Sequence, residues 1–329
     1  MKRLLKKFVV GIFAGSLVLS VSAAPETDIA DVKPLVDQTM QQFMRVNRVP
    51  GAVVELYVHG KPYSFQYGVA NLDTRVPVTD NTVFELGSVT KLFTALLVAM
   101  QVNAGKMNLQ DSITQYIPEL RNAYGPINQV TLENLATHTS GLPFYTPGSV
   151  KTEEGVINYL RRWHPYGPVG SSWAYSNFGI GLLGSALEYN THENYNQLYR
   201  SRILTPLKMN PIGIAVPNYL DGLIAQGYDG AGIMEPYTAL DLLPASWAIK
   251  ATGHDMMRFL AASIGLPGTP PEIADAMRLT QTPFYLNSNM MQGLGWQIYR
   301  ITDQDRVSLM HTPSFMSIGP IKTTAISER

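Results

Sequence analysis

The chain contains no cysteine. Disulfide cross-links, thiol nucleophiles and thiolate metal sites are therefore excluded, and the fold must be held by its core alone. Charge is also scarce: 15% of residues, 25 basic and 25 acidic, without a lysine- or arginine-rich block. Nothing here offers the basic face that nucleic acid demands, so no nucleic-acid partner is expected. Repeats and low-complexity tracts are missing. His192-Glu193-Asn194-Tyr195-Asn196 lacks the second histidine of a zinc-binding helix, and no Gly-x-Ser-x-Gly elbow occurs. His138, His164, His254 and His311 are scattered and read as core or surface residues. No metal and no other cofactor is expected. Beyond the N-terminus no apolar run is long enough to span a bilayer; the longest is interrupted by Lys91, Thr94 and Gln101.

The N-terminus has the pattern of an export signal. Lys2, Arg3, Lys6 and Lys7 precede an apolar stretch from Phe8 to Val21, and Val21-Ser22-Ala23 offers the small residues of a cleavage site. A retained membrane anchor is the competing reading, but the stretch is short for a span and no basic cluster follows it. The expectation is a signal peptide over 1–23 and a periplasmic mature chain without a membrane span. Without those four basic residues, 21 basic face 25 acidic side chains, a net charge of −4. A monomer is expected.

With 329 residues, 45% of them hydrophobic, the chain suits one large domain or two interleaved ones. From Asp28 to Asn47 apolar residues recur at three- and four-residue steps, predicting a helix with Pro34 in its first turn. Ala52–Val58 and Tyr63–Ala70 predict a hairpin around His59-Gly60-Lys61-Pro62. Helices follow from Ser88 to about Asn103 with Gly105 as C-cap, from Thr131, and over 176–189, 194–204 and 252–264. Strands return at 295–301 and 306–310 around Asp303-Gln304-Asp305. The fold class is α/β (α+β): an antiparallel sheet flanked by helices, with an inserted, mostly helical domain. The boundaries are 24–86 and 290–329 for a sheet domain built from both termini, and 87–289 for the helical region.

Ser88 stands one helical turn before Lys91, and no other serine in the chain precedes a lysine at that offset. Residues three apart on a helix lie about 5–6 Å apart at Cβ, so the amine reaches the hydroxyl. The run Leu92–Met100 would bury the helix, and dry surroundings depress an amine's pKa until it can accept the hydroxyl proton. An N-capping serine followed by a solvated lysine is the alternative. Tyr175-Ser176-Asn177 supplies a phenol able to relay a proton and a carboxamide able to hold an amide. A packed aromatic before an N-capping asparagine is the alternative there.

Taken together, these strings resemble the serine-active penicillin-recognising enzymes, specifically the class C β-lactamase branch with its related DD-peptidases and esterases. Ser88-Val89-Thr90-Lys91 is similar to the family's first motif and Tyr175-Ser176-Asn177 to its second. Phe84-Glu85-Leu86-Gly87, Leu135–Pro143, Pro206–Asn210 and Gln292–Trp296 also match, and the likeness runs from about Asp28 to Tyr299. The resemblance implies a β-lactamase/transpeptidase-like fold and an acyl-enzyme mechanism on a β-lactam or peptidoglycan-like substrate. By resemblance, Ser88 attacks, Lys91 and Tyr175 move the proton, Asn177 orients Lys91 and the substrate amide, and the Ser88 N–H forms half of an oxyanion hole.

The likeness weakens at the third motif, a Lys-Thr-Gly on an inner strand. Lys322-Thr323-Thr324 is the nearest string; a β-branched residue replaces the glycine where a substrate backbone should pass. It is a shortened working element, a chance string in a truncated tail, or the mark of an altered relative. The expected final strand and long helix do not follow it. Tyr145 stands where the branch commonly has glutamine, and Trp247 where it usually has tyrosine lining the acyl pocket. A DD-peptidase or esterase, and a non-catalytic remnant, are the alternatives to a β-lactamase.

Overall fold

The computed structural model describes residues 9–13, 29–58, 60–210, 212–214, 222–229, 231–235, 242–286, 290–301, 306–311 and 323–327. Strand β1 (Val9–Phe13) precedes helix α1 (Ile29–Asn47) and the hairpin of β2 (Gly51–Val58) and β3 (Lys61–Gly68). Pro34 falls in the second turn of α1 rather than the first, counting from Ile29, and one backbone hydrogen bond is given up there. Strand β2 is buried on both faces. Ala52, Val54, Leu56 and Val58 pack on Val32, Val36 and Met40 of α1, while Val53 points into the main core. Strand β3 alternates between exposed and half-buried positions, as an edge strand with one wet face does. On the opposite edge of β2 lies β1, in register from Val9 opposite Tyr57 to Phe13 opposite Val53. Part of the stretch expected as a signal peptide thus pairs with the sheet; residues 1–8 and 14–23 of it lie outside the described residues.

Strand β4 (Val83–Glu85) leads into α2 (Thr90–Asn103), and every residue from Thr90 to Ala99 is buried. A helix apolar all round belongs at the centre of a domain. Gly105, with φ +67°, follows its C-terminal end as expected. Then come α3 (Ile113–Tyr116), α4 (Leu132–Ala136), α5 (Glu153–Arg162), α6 (Asn177–Thr191) and α7 (Tyr195–Tyr199); α6 and α7 pack on α2, and α3 and α4 pack on α6. The short pair β5 (Gly227–Tyr228) and β6 (Met234–Glu235) precedes β7 (Lys250–Thr252), which pairs antiparallel with β4, and then α8 (Gly253–Ser263) and α9 (Pro271–Thr280). The chain returns as β8 (Tyr285–Leu286), β9 (Met291–Gln292), β10 (Gln297–Ile301), β11 (Arg306–His311) and β12 (Thr323–Ser327).

Hydrogen bonding groups the main strands into a three-stranded sheet, β1-β2-β3, and a five-stranded sheet, β12-β11-β10-β9-β8. Strands β1 and β12 lie side by side at the facing edges, so strands from both ends of the chain meet. Helix α8 packs on β2 and α9 on α2. The expected turn at 303–305 lies outside the described residues. Among the described residues no helix is long and apolar enough to cross a membrane.

Candidate active site

Ser88 sits in a single 3-10 turn, Gly87–Val89, between β4 and α2. Gly87 takes φ +51°, a left-handed conformation that turns the chain sharply out of the strand. Two hydrogen bonds fasten the turn to the chain before β7: Leu86 N–H donates to Ile249 O at 2.9 Å, and Ile249 N–H to Thr90 Oγ1 at 3.2 Å. Ser88 is therefore not the cap of a solvated helix, and its side chain caps nothing.

Lys91 has no exposed surface. Its Nζ donates to Ser88 Oγ at 3.0 Å and to Ser246 O at 2.7 Å. Burial holds the amine well below the ordinary lysine range, because a charge sealed from water loses its hydration. One turn further on, Thr94 Oγ1 donates to Ala245 O at 2.5 Å, so α2 grips the 244–246 turn at consecutive carbonyls. That turn lies hard against α6: a Cβ at Gly184 would come 2.3 Å from the Cβ of Ala245.

Tyr175 approaches from the other side. Its hydroxyl donates to Ser88 Oγ at 2.8 Å, and Lys91 Nζ lies 5.0 Å from its ring centroid. The segment carrying it is pinned on both sides of Tyr175. Ala174 N–H donates to His138 O at 2.7 Å, Ser176 N–H to His138 Nδ1 at 3.2 Å, and Asn177 N–H to Phe144 O at 2.8 Å. Ser176, not Asn177, caps α6: its Oγ accepts Gly179 N–H at 2.8 Å and donates to Pro143 O at 2.7 Å. The His138 ring stacks on Tyr175 with centroids 4.3 Å apart. A buried hydroxyl flanked by an amine whose charge burial disfavours and by a phenol is equipped for nucleophilic attack on an acyl carbon with relay of the displaced proton.

Of the other expected residues, Asn177 is buried beside Tyr175, and its Oδ1 has no hydrogen-bond partner among the described residues. No hydrogen bond joins it to Lys91, whose amine donates to Ser88 Oγ and to Ser246 O. Tyr145 and Trp247 face one another with ring centroids 5.8 Å apart, and Phe144 bridges Tyr145 to Tyr175. Trp247 Nε1 is buried without a partner among the described residues. Lys322 lies outside the described residues; Thr323 opens β12, where its backbone stands opposite His311. Among the described residues no group of His, Asp or Glu is placed to hold a metal ion. Sequence reading passed over His138 and Ser246. Ser246 acts through its carbonyl, which any residue type supplies, whereas His138 did have a signal, since it lies within the Leu135–Pro143 string.

The beta-lactamase family model matches residues 36–319, most of the chain and both serine-site strings. The chain belongs to the beta-lactamase family. A beta-lactamase of Pseudomonas fluorescens is 33% identical over 82% of this chain and 75% of that one. A solved class C beta-lactamase, 27% identical, superposes with a TM-score of 0.84 over 93% of this chain and 94% of that one. A solved beta-lactamase/D-alanine carboxypeptidase from Pseudomonas syringae, 26% identical, gives 0.81 over 87% and 88%. This beta-lactamase is thus a serine hydrolase of the class C branch with the β-lactamase/transpeptidase-like fold.

Proposed function

We propose that Ser88 is the nucleophile of β-lactam hydrolysis, with Lys91 and Tyr175 as its proton-transfer partners. The observation that carries this reading is the convergence of the Lys91 amine and the Tyr175 hydroxyl on Ser88 Oγ, at 3.0 and 2.8 Å. Ser88 Oγ attacks the lactam carbonyl carbon, and its proton passes to the Lys91–Tyr175 pair. The carbonyl oxygen gathers negative charge, which the Ser88 N–H stabilises; losing one such donor costs roughly 2.7–4 kcal/mol in other enzymes. When the C–N bond breaks, Tyr175 delivers the proton to the departing nitrogen, leaving an ester on Ser88. Water, deprotonated by the same pair, then releases the opened product. Asn177 Oδ1, buried without a hydrogen-bond partner among the described residues, is assigned to the substrate's side-chain amide, and the Tyr145–Trp247 pair to its acyl group. Lys322-Thr323 is assigned to the substrate carboxylate.

We assign the chain to the periplasm as a monomer, with residues 1–23 removed, 24–86 and 290–329 forming the sheet domain and 87–289 the helical one. Removing the leader also removes β1 and leaves that edge of β2 open.

Intact-protein mass spectrometry of the secreted protein with a penicillin tests the reading. The expected result is a mass beginning at Ala24, an adduct that forms and clears with turnover, and none in Ser88→Ala. A long-lived adduct would point instead to a DD-peptidase. No adduct on folded protein would overturn the catalytic assignment.

A further inference from the structure

We propose that His138 is a positioning residue for Tyr175, setting where the phenol stands relative to Ser88. The proposal rests on the assignment of Tyr175 to proton transfer, and goes beyond it by naming what holds that group in place. One residue grips the segment before, at and after Tyr175. The His138 carbonyl accepts Ala174 N–H at 2.7 Å, Nδ1 accepts Ser176 N–H at 3.2 Å, and the ring covers the phenol at 4.3 Å with an interplanar angle of 28°. The ring is 1% exposed, so water does not compete for these contacts. Trp173 meets its edge at 6.0 Å and closes the stack on one side.

Two features separate this arrangement from ordinary core packing. His138 holds φ +61°, a left-handed conformation that few non-glycine residues adopt, and that conformation aims carbonyl and ring at the same tripeptide. Accepting at Nδ1 also fixes the neutral ring's proton on Nε2, so the grip depends on one tautomer. Tyr175 makes its own bond to Ser88 through a single hydroxyl at 2.8 Å, and a ~1 Å displacement of such a group costs on the order of 10²-fold in rate.

The two holds can be removed separately. Asn carries Oδ1 at the position of Nδ1 and tolerates positive φ, so His138→Asn keeps the Ser176 hydrogen bond and loses the stack. His138→Phe keeps an aromatic face and loses the acceptor. Measured with a penicillin, His138→Phe is expected to lower kcat about tenfold to a hundredfold with KM changed less than about twofold. His138→Asn is expected to recover part of that loss. Equal losses in both, on fully folded protein, mean that the hydrogen bond and the stack are both required, and still support positioning. An unchanged kcat in His138→Phe, or losses that merely follow the unfolded fraction by thermal melting, overturns the proposal. In tyrosine labelled at Cζ, the Tyr175 resonance, identified by its disappearance in Tyr175→Phe, is expected to move in both variants. If wild-type protein forms no Ser88 adduct, the catalytic reading fails on its own, and the resonance still decides: displaced in both variants supports positioning, unmoved in both refutes it.

Discussion

Lys91 on α2 and Glu55 on β2 are both ionisable side chains sealed inside the protein, 0% and 1% exposed. Burial drives each toward its neutral form, Lys91 downward and Glu55 upward to about 8. Their neighbourhoods differ. Lys91 spends its hydrogen bonds on Ser88 and Ser246. Glu55 accepts from Ser64 Oγ at 2.9 Å and lies near Asp80, whose like charge lifts it further. The same desolvation disfavours the charge of an amine beside Ser88 in the helical region and that of a carboxyl in the sheet. The two costs also run in opposite directions with pH. Below the ordinary lysine range the unfolded chain carries a proton on Lys91 that the fold excludes, so this term raises stability as pH rises. Between about 4.5 and about 8 the fold keeps a proton on Glu55 that the unfolded chain has lost, so that term lowers stability as pH rises.

The largest expected effect separates reactivity from stability at Lys91. Lys91→Met replaces the amine with an apolar chain of similar length, and acylation by a penicillin is expected to slow by about 10²–10⁴-fold. The melting temperature should not fall, because a buried ionisable group gives way to one with no charge to hide. Any gain should be larger at acid than at alkaline pH. In the wild type, acylation should fall on acidification as Lys91 takes up its proton. Stopped-flow acylation and melts across a pH series test both statements; a folded variant that acylates at the wild-type rate would refute the role of the amine.

Glu55→Gln probes the other side of the comparison. Its expected effect is a rise of several degrees in melting temperature at pH 8, shrinking to nothing near pH 4 where the carboxyl is neutral folded and unfolded alike. Penicillin turnover should not change, since Glu55 and its partners Ser64 and Asp80 stand outside the Ser88 network. A pH-independent shift would mean that packing, not charge, sets the cost at this position.

The contrast also marks how far the sequence could be read. The Ser88–Lys91 pair was legible because its spacing is local: a helix brings residues three apart together whatever lies around it. The hairpin of β2 and β3 and helix α1 followed from apolar periodicity for the same reason. Helix α5 went unnoticed despite local signs, with Thr152 capping Gly155 N–H and Glu153-Glu154 and Arg161-Arg162 placed at opposite ends. What could not be read were contacts set by the fold. The Ser246 carbonyl that holds Lys91 lies 155 residues away in the chain and carries no side-chain signature. The Leu135–Pro143 string marks the neighbourhood of His138, but not its left-handed backbone or the phenol stacked on its face, which only the fold sets. Glu55 interrupts the otherwise apolar run Ala52–Val58, a pattern that suits a strand covered on both faces but does not say which groups surround the carboxyl.

Gly184→Ala tests whether the Lys91 environment is built from outside α2. Its added methyl would lie 2.3 Å from the Ala245 Cβ, closer than two such carbons approach, so either α6 or the 244–246 turn must give way. Overpacking of this kind costs about 1–3 kcal/mol, which a thermal melt would register. The turn presents Ala245 O to Thr94 and Ser246 O to Lys91, at 2.5 and 2.7 Å, so its displacement loosens the amine that faces Ser88. Turnover is expected to drop by about tenfold, part of the 10²-fold that a ~1 Å misplacement costs. The drop should appear in the acylation step, with Glu55→Gln showing none. Wild-type acylation in a destabilised Gly184→Ala would show that α2 places Lys91 without the carbonyl, and the helical region would then be as tolerant of local strain as the sheet.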